Sequence, residues 1–303
     1  MKRIVFMGTP EIAVESLERL AAEYEILLVV TQPDRPKGRG KKLAPPPVKL
    51  AAERLGLPIL QVERIGSAEG VQELTQLAPD LIVVVAFGQL LPERILNIAP
   101  CINLHASLLP KYRGAAPINW AIIEGESTTG ITTMYMDKGL DTGDMLLKKE
   151  IAITNEMTAG ELTATMATEG AELLSETLRN LDNIERQPQG ETPTIYAKML
   201  TKELARIDWT KDATSIHNLV RGLNPEPMAW TTLDGDNYKI ARTRVVEGDG
   251  DPGTVIAASK SGITVATGKG AVEILEIQPA GKKLMTAAAF YNGKKDLVGK
   301  TFS

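Results

Sequence analysis

Short apolar runs alternate with helix-forming segments through the first half of the chain, and this alternation restricts the fold more than any other feature of the sequence. The apolar runs predict strands at residues 3–7, 25–31, 57–61, 81–86 and 101–104. Apolar residues at helical spacing predict helices at residues 48–55, 69–77 and 157–181. Repeated strand–helix–strand units form parallel sheets that carry helices on both faces. We therefore predict an α/β fold whose N-terminal part is a doubly wound, Rossmann-like, mostly parallel sheet.

The pattern changes near residues 187–194, where Pro188, Gly190 and Pro193 interrupt it. Short β-type runs follow, separated by Gly, Asp and Asn turns, at residues 229–233, 238–246, 253–258, 262–266 and 271–278. Many short strands at regular spacing are typical of a small β-barrel. We predict an N-terminal domain at residues 1–188, a linker at 189–207 and an OB-like β-barrel domain at 208–303.

The composition excludes several classes of protein. A chain of 303 residues is long enough for two cores, and its net charge of −4 excludes a globally basic nucleic-acid binder but not a local basic patch. One cysteine and two distant histidines give neither an internal disulfide nor a zinc-ligand spacing. The sequence has no apolar run that could span a bilayer and no signal-peptide core near its first residues. These features predict a cytoplasmic protein.

His105 follows the strand predicted at 101–104, and ligands of open α/β sheets bind at this carboxyl edge. Asn103 would point to the same side of an extended strand. A carboxamide beside an imidazole can stabilise an oxyanion, so the pair is a candidate catalytic site, with a structural histidine as the alternative. A nucleophile pair of Ser107 with His105 is weakly supported, because the chain lacks the G-x-S-x-G turn. His217, on the flank of a predicted helix, is interpreted as structural.

Three carboxylates and two glycines share the eight residues 137–144. A solvated turn is the simplest interpretation, and a calcium loop does not fit because Gly139 replaces the ligand required at the third position. Asp141 lies between Gly139 and Gly143, which allows the backbone to bring this carboxylate close to a ligand. If the Asp141 carboxylate is directed at His105, it would set the tautomer of the imidazole ring.

Residues 35–42 are strongly basic and contain no acidic side chain, within a long segment rich in Pro and Gly that predicts a loop. The basic residues are Arg35, Lys37, Arg39, Lys41 and Lys42. They stand out because the N-terminal part is acidic overall. Glycines between the charges would let the loop fit phosphates, and a solvated surface loop is the alternative.

Several of these motifs resemble the signatures of the folate-dependent formyltransferases. Asn103-x-His105-x-Ser107-Leu108-Leu109-Pro110 and Asp137-x-Gly139-x-Asp141-x-Gly143 match the catalytic signature. Other segments are similar to the branch of the family that acts on methionyl-tRNA, and they lie at residues 6–10, 31–43, 112–118, 205–209, 224–230 and 278–283. The resemblance covers nearly the whole chain.

The resemblance implies roles for particular residues. Asn103, His105 and Asp141 would form a catalytic trio, and Thr132 would supply a supporting hydroxyl. The residues that would line the tetrahydrofolate site are Ser107, Leu108, Leu109 and Pro110. Arg39 matches the family's loop arginine that is implicated in tRNA recognition, and we expect the other basic residues of the loop to contact tRNA with it: Arg35, Lys37, Lys41 and Lys42. Apart from the resemblance, we expect basic positions of the β-barrel domain to meet tRNA phosphates, and these are Lys239, Arg242, Arg244, Lys282 and Lys283.

The resemblance also implies the reaction and its partners. The formyl group of 10-formyltetrahydrofolate, a co-substrate, would pass to the α-amino group of methionine on initiator methionyl-tRNA, without a metal. Residues 1–188 would be the catalytic domain and residues 208–303 the tRNA-binding domain. We expect a monomer that has no membrane partner.

Two other functions stay open at this stage. The catalytic signature also fits formyltransferases that act on an amino-sugar nucleotide or another small amine, which would need no tRNA. An RNA-binding module with an inactive site would bind tRNA in a salt-sensitive manner and transfer no formyl group. The basic loop argues against the first alternative, and the intact trio argues against the second.

Overall fold

The computed structural model describes residues 2–37 and 42–303. Its backbone groups into two compact units, each assembled from separate parts of the chain. The first comprises Met1–Pro117, Thr129–Ile151 and Thr163–Ala197, and the second comprises Ile118–Thr128, Ala152–Leu162 and Lys198–Ser303. These units combine separate segments of the chain, whereas the predicted domains at 1–188 and 208–303 and the linker at 189–207 are continuous segments. The domain limits stay a prediction.

A seven-stranded sheet forms the centre of the first unit. In chain order its strands and those of a separate hairpin are β1 (Arg3–Gly8), β2 (Glu25–Thr31), β3 (Arg35–Lys37), β4 (Lys42–Ala44), β5 (Ile59–Gln61), β6 (Leu81–Val85), β7 (Cys101–His105), β8 (Thr128–Tyr135) and β9 (Met145–Ala152). The sheet order is β5-β2-β1-β6-β7-β8-β9, and β3 pairs with β4. The first five strands of this order are parallel to their neighbours, whereas β8 is antiparallel to β7. The predicted mostly parallel sheet is confirmed.

Within residues 2–37 and 42–303, six α-helices lie between or directly after these strands in the chain, and residues 118–123 of the fifth helix belong to the second unit. The helices are α1 (Val14–Glu23), α2 (Pro47–Leu55), α3 (Ala68–Leu77), α4 (Glu93–Leu96), α5 (Pro117–Ile123) and α6 (Ala159–Asn180). All residues of β6 and nearly all of β1 are buried, because strands in the middle of such a sheet are covered on both faces. This explains why both appear in the sequence as continuous apolar runs. Among the described helices none is long and apolar enough to cross a membrane.

The strand order reverses between β1 and β6. The chain leaves β1 toward β2 and β5, and it leaves β6 toward β7, and ligands of such sheets bind at the carboxyl ends of the strands beside a reversal of this kind. The loops after three strands meet there: the Thr9 hydroxyl donates to the Phe87 carbonyl at 2.9 Å, and Gln32 Nε2 donates to the same carbonyl at 3.3 Å. This edge of the sheet is also where β7 delivers His105.

Cys101 opens β7 and lies in the apolar core beside β6. Burial raises the pKa of the Cys101 thiol from 9.0 to about 12. At pH 8 the thiolate fraction is then about one in ten thousand, against about one in ten for an unburied thiol. We expect a thiol reagent at pH 8 to label the native protein at least about a thousandfold more slowly than the urea-unfolded chain. Equal rates would show that β7 is open to solvent in the native state.

The second unit contains an antiparallel sheet and two further helices. The strands are β10 (Ala229–Leu233), β11 (Asp236–Val246), β12 (Val255–Ala258), β13 (Ile263–Ala266), β14 (Ala271–Pro279) and β15 (Met285–Thr286). The helices are α7 (Ala213–Gly222) and α8 (Ala287–Gly293). The sheet order is β10-β11-β14-β13-β12, and β15 pairs with β14.

The last residues of the chain join the two edge strands of this sheet. On the β12 side, Thr301 bridges Thr254, and the Val255 amide donates to the Lys300 carbonyl at 2.8 Å. On the β10 side, Thr232 and Ser303 exchange two backbone hydrogen bonds of 2.8 and 2.9 Å. Phe302 lies between these contacts and stacks on Trp209 in the core, with ring centroids 5.8 Å apart. The strands and this tail thus close on themselves, as a small barrel does.

Candidate active site

His105 is the last residue of β7 and is only 6% exposed. Its Nε2 lies 3.1 Å from the carbonyl oxygen of Tyr112. A carbonyl oxygen only accepts hydrogen bonds, so Nε2 must carry a proton and donate it. The other ring nitrogen, Nδ1, faces Asp141 Oδ2 at 3.8 Å. The fold therefore fixes which nitrogen of His105 is directed to the carboxylate.

Asp141 reaches His105 from the loop between β8 and β9. Its backbone has a φ of +54°, a left-handed conformation that few residues other than Gly, Asn and Asp adopt readily. The carboxylate accepts a hydrogen bond of 2.9 Å from the Gly114 amide through the same Oδ2 that faces His105. The neighbouring Gly143 has no room for a side chain, because a Cβ there would overlap the carbonyl oxygen of Tyr135. These constraints hold the Asp141 carboxylate beside the imidazole.

Asp137, another carboxylate of this loop, has its partners within the loop itself. Asp137 accepts hydrogen bonds on Oδ1 from the Gly139 amide at 2.9 Å and from the Thr142 hydroxyl at 2.7 Å. These are local contacts within an exposed turn. Across residues 2–37 and 42–303, no group of three or more His, Cys, Asp or Glu side chains is placed to hold a metal ion.

Asn103 lies two residues before His105 on β7 and is 8% exposed. Strand alternation places both side chains on the same face of the sheet. In the register with β8, Asn103 is opposite Met134 and His105 is opposite Thr132. The structure therefore groups Asn103, His105 and Asp141 at the carboxyl edge of the sheet, next to the strand-order reversal.

Thr132 holds the turn that follows β7. Its buried hydroxyl donates to the Ser107 carbonyl at 2.7 Å and accepts from the Leu109 amide at 3.1 Å. Ser107 Oγ donates to the Lys111 carbonyl at 2.6 Å, a contact that stabilises the turn. Leu109 is buried against Met134 and Met145, and Leu108 and Pro110 are half-buried. The segment Ser107–Pro110 is thus a fixed wall beside His105.

Lys148 on β9 also contacts this wall, although it is not among the residues predicted from the sequence. Its Nζ donates to the Leu109 carbonyl at 2.6 Å, and burial lowers the pKa of the Lys148 ammonium. Lys148 stands in a run of charged residues on an edge strand, and it is exposed there, so its contact with Leu109 leaves no pattern of burial in the sequence. Nothing in that run distinguishes it from Lys149, so no sequence signal was available.

The basic segment has a hairpin at its base instead of the predicted continuous loop. β3 pairs with β4, and the backbones of Lys37 and Lys42 are opposite each other. Asp34, just before β3, accepts from Lys49 Nζ at 2.9 Å and from Gln61 Nε2 at 2.8 Å, and these hydrogen bonds lower the pKa of its carboxyl.

The basic residues of this segment that are predicted to contact tRNA differ in their surroundings. Arg35 pairs with Glu63 at 2.7 Å, and Lys42 is exposed on β4. Arg39 and Lys41 lie outside the described residues, so their predicted roles stay predictions.

His217 lies on α7 in the second unit and is buried. Its Nε2 donates to the Asn155 carbonyl at 2.9 Å, and its Nδ1 lies 3.0 Å from the Thr243 hydroxyl. On the same helix, Arg221 Nη1 donates to the carbonyls of Thr154 at 3.0 Å and Met157 at 3.2 Å. Both side chains satisfy backbone carbonyls, which supports the structural interpretation of this histidine.

Comparison with known proteins identifies the family. A family model described as "Formyl transferase" matches residues 1–178, and one described as "Formyl transferase, C-terminal domain" matches residues 199–295. The chain belongs to the formyl transferase family.

Individual relatives extend this result. The chain is 52% identical to the methionyl-tRNA formyltransferase of Clostridium perfringens (strain 13 / Type A) over 305 residues, which cover 98% of this chain and 99% of that protein. Its fold is similar to WlaRD, a sugar 3N-formyl transferase, with a TM-score of 0.68 at 19% identity, covering 93% of this chain and 99% of WlaRD. HypX from Aquifex aeolicus in complex with tetrahydrofolic acid gives a TM-score of 0.66 at 20% identity; the match covers 98% of this chain but 48% of HypX.

Proposed function

We propose that this protein transfers the formyl group of 10-formyltetrahydrofolate to the α-amino group of methionine on initiator methionyl-tRNA. The observation that carries the proposal is the 52% identity, over nearly the whole of both chains, to the Clostridium perfringens methionyl-tRNA formyltransferase. The grouping of Asn103, His105 and Asp141 supports it, because formyl transfer develops a negative oxygen that such groups can stabilise.

In this mechanism the methionyl nitrogen bonds to the formyl carbon, and the bond from that carbon to the folate nitrogen breaks. Asn103 donates from its carboxamide to the formyl oxygen as that oxygen becomes negative. Because Nε2–H of His105 is already bonded to the Tyr112 carbonyl, the ring acts toward the substrate through Nδ1. A proton on Nδ1 gives a charged ring, which the Asp141 carboxylate at 3.8 Å stabilises electrostatically.

Asp141 also helps to move a proton from the attacking amine to the departing folate nitrogen, directly or through a water. This transfer balances the reaction, since the amine loses one proton and the leaving nitrogen gains one. No covalent enzyme intermediate is required. Holding both substrates in line contributes much of the rate.

The wall at Ser107–Pro110 is the proposed contact for the folate. Its backbone is fixed by Thr132 and Lys148, so the half-buried Leu108 and Pro110 side chains present a rigid apolar surface. The strand-order reversal lies at the same edge of the sheet, where ligands of such sheets bind. We propose that the planar part of the folate binds at this edge.

The tRNA is proposed to contact the basic segment and the barrel of the second unit. Among the five barrel positions named from the sequence, Arg242 pairs with Glu161 at 2.8 Å and Arg244 pairs with Glu273. Lys282 and Lys283 are exposed, which leaves them better suited to meet phosphates. We further propose that the enzyme is a monomer and works in the cytoplasm, where charged tRNA is available.

Arg39→Leu tests the contribution of the basic segment. We expect kcat/KM for initiator methionyl-tRNA to fall by about tenfold or more, since a guanidinium contact to nucleic acid is worth about 1–3 kcal/mol, while the affinity for 10-formyltetrahydrofolate stays unchanged. Steady-state kinetics at fixed salt measure both values. Arg54→Leu, an equal charge change on α2, is the control, and wild-type tRNA kinetics in Arg39→Leu would refute the role of the segment.

A transfer assay separates the candidate functions. The protein is incubated with 10-formyltetrahydrofolate and, in parallel, initiator methionyl-tRNA, elongator methionyl-tRNA or an amino-sugar nucleotide. We expect formylation of the initiator species and much slower reaction of the others. Formylation of the sugar alone would assign a small-amine formyltransferase, and tRNA binding without transfer would assign an RNA-binding module.

A further inference from the structure

The segment that the sequence predicts as the start of a linker is packed onto the candidate active site. Gln187 and Met145 exchange two backbone hydrogen bonds of 2.9 Å. At the other end, the Ala197 carbonyl accepts from the amides of Ala115 at 2.7 Å and Ala116 at 3.1 Å. We call residues 187–197 the strap. It runs past both loops that position the trio, one carrying Asp141 and one carrying Gly114.

Gln189 is the strap residue that contacts the Asp141 loop through its side chain. Its Oε1 accepts from Arg113 Nε at 3.0 Å and Nη2 at 2.8 Å. Its Nε2 donates to the carbonyl of Asp141 at 2.9 Å and to that of Gly143 at 2.7 Å. Arginine only donates and carbonyls only accept, so this orientation of the amide is the one that satisfies all four contacts.

The partner of Gln189 is itself held firmly. Arg113 is 6% exposed, and its Nη2 also donates to the Gly190 carbonyl at 2.8 Å. Its own carbonyl accepts from the Ala197 amide at 2.8 Å. Gln189 therefore links a buried, fixed guanidinium to the two carbonyls on either side of Thr142.

Those two carbonyls belong to the turn that carries Asp141, and the backbone of this turn sets the direction of the Asp141 carboxylate. Asp141 has a left-handed φ of +54°, a conformation that local sequence does not enforce. Its Oδ2 meets two groups at once, the Gly114 amide at 2.9 Å and His105 Nδ1 at 3.8 Å. A small rotation of the loop would break both contacts.

We propose that Gln189 is a positioning residue for formyl transfer: it fixes the backbone of Asp141 and so keeps the carboxylate against His105. This role rests on the proposed function, since it acts through the proposed trio. Gln189 touches neither substrate in this proposal.

Gln189→Glu is the informative variant. One carboxylate oxygen still accepts from Arg113, so the strap stays anchored, but the other faces two carbonyl oxygens and repels them. We expect kcat to fall by about tenfold or more, with KM for 10-formyltetrahydrofolate and for methionyl-tRNA within about twofold of wild type. The control is Gln187→Glu, the same charge change at an exposed position of the same strap, and it should leave kcat unchanged.

A double-mutant cycle with Asp141→Asn shows whether Gln189 acts through that carboxylate. We expect kcat of the variant that combines Gln189→Glu with Asp141→Asn to be no lower than kcat of Asp141→Asn alone. Once the carboxylate charge is removed, the position of that side chain has little further effect on the rate. If the fold-losses in kcat of the two single variants multiplied fully in the double variant, the two residues would act independently and the proposal would be overturned. Gln189→Met, which is similar in size and uncharged, is taken through the same cycle if Gln189→Glu does not fold.

Hydrogen exchange at the Gly114 amide gives a readout that needs no activity. This amide is bonded to Asp141 Oδ2, so we expect its exchange to quicken about tenfold or more in Gln189→Glu and to stay as in wild type in Gln187→Glu. Unchanged exchange in Gln189→Glu would overturn the positioning role even in an active enzyme. A wild-type protein that transfers no formyl group would instead overturn the proposed function.

Discussion

Replacing His105 with alanine should lower kcat for formyl transfer by about a thousandfold. The substitution removes the imidazole that, in the proposed mechanism, acts on the formyl oxygen through Nδ1, and losses of such donors in acyl transfer are of that size. Single-turnover rates with both substrates saturating measure the effect on chemistry apart from binding. The affinity for 10-formyltetrahydrofolate should change little, because the wall at Ser107–Pro110 is held by Thr132 and Lys148.

The second histidine provides the control for this experiment. His217 is also buried and also bonded to a carbonyl, but its partners are Asn155 and Thr243 in the second unit. His217→Gln should lower the melting temperature and leave kcat per folded molecule near wild type. If His105→Ala kept near-normal turnover, His105 would have no part in the mechanism.

Asp141→Asn should lower kcat by at least about a hundredfold, although the side chain keeps its shape. Asparagine tolerates the left-handed backbone at this position, and an amide oxygen can still accept from Gly114. What is lost is the negative charge 3.8 Å from His105 Nδ1 and an acceptor for the proton in transit. The measurement is kcat together with the melting temperature, which should stay within a few degrees of wild type.

Asp137→Asn is the matched variant for this loop. It removes the same charge four residues away, and the Asn Oδ1 can still accept from Gly139 and Thr142. Near-normal turnover is expected, because Asp137 is exposed and serves a local turn. Equal losses in the two variants would mean that the whole loop, and not the Asp141 carboxylate, determines the rate.

The sheet was predictable because burial leaves a direct pattern in the sequence. β1 and β6 are covered on both faces and are apolar throughout, and the helices between strands have one apolar face. The antiparallel direction of β8 has no such pattern, because a strand with the same side chains can pair in either direction. The β3–β4 hairpin was missed because its three-residue strands are rich in Pro and Lys, which strands generally avoid.

The candidate active site also contains residues that the sequence pattern predicts and contacts that it does not. Asn103 and His105 were placed together by strand alternation, and the glycines around Asp141 indicated a loop that could approach them. The choice of ring nitrogen, the link through Gln189 and the contact of Lys148 depend on backbone carbonyls, that of Tyr112 seven residues from His105 and those of Asp141 and Leu109 much farther from their partners. Any residue supplies a carbonyl, so such contacts are invisible until the chain is folded.

The closing of the barrel by residues 300–303 has a practical consequence for handling this protein. Deleting these four residues removes Phe302 from the core and takes away the backbone partners of Thr232 on β10 and of the Val255 amide on β12, and unpaired edge groups recruit strands from other molecules. A purification tag fused directly to Ser303 sits against Thr232 and competes with the same pairing. Chains shortened or extended at this end should be screened for self-association before any kinetic comparison is made.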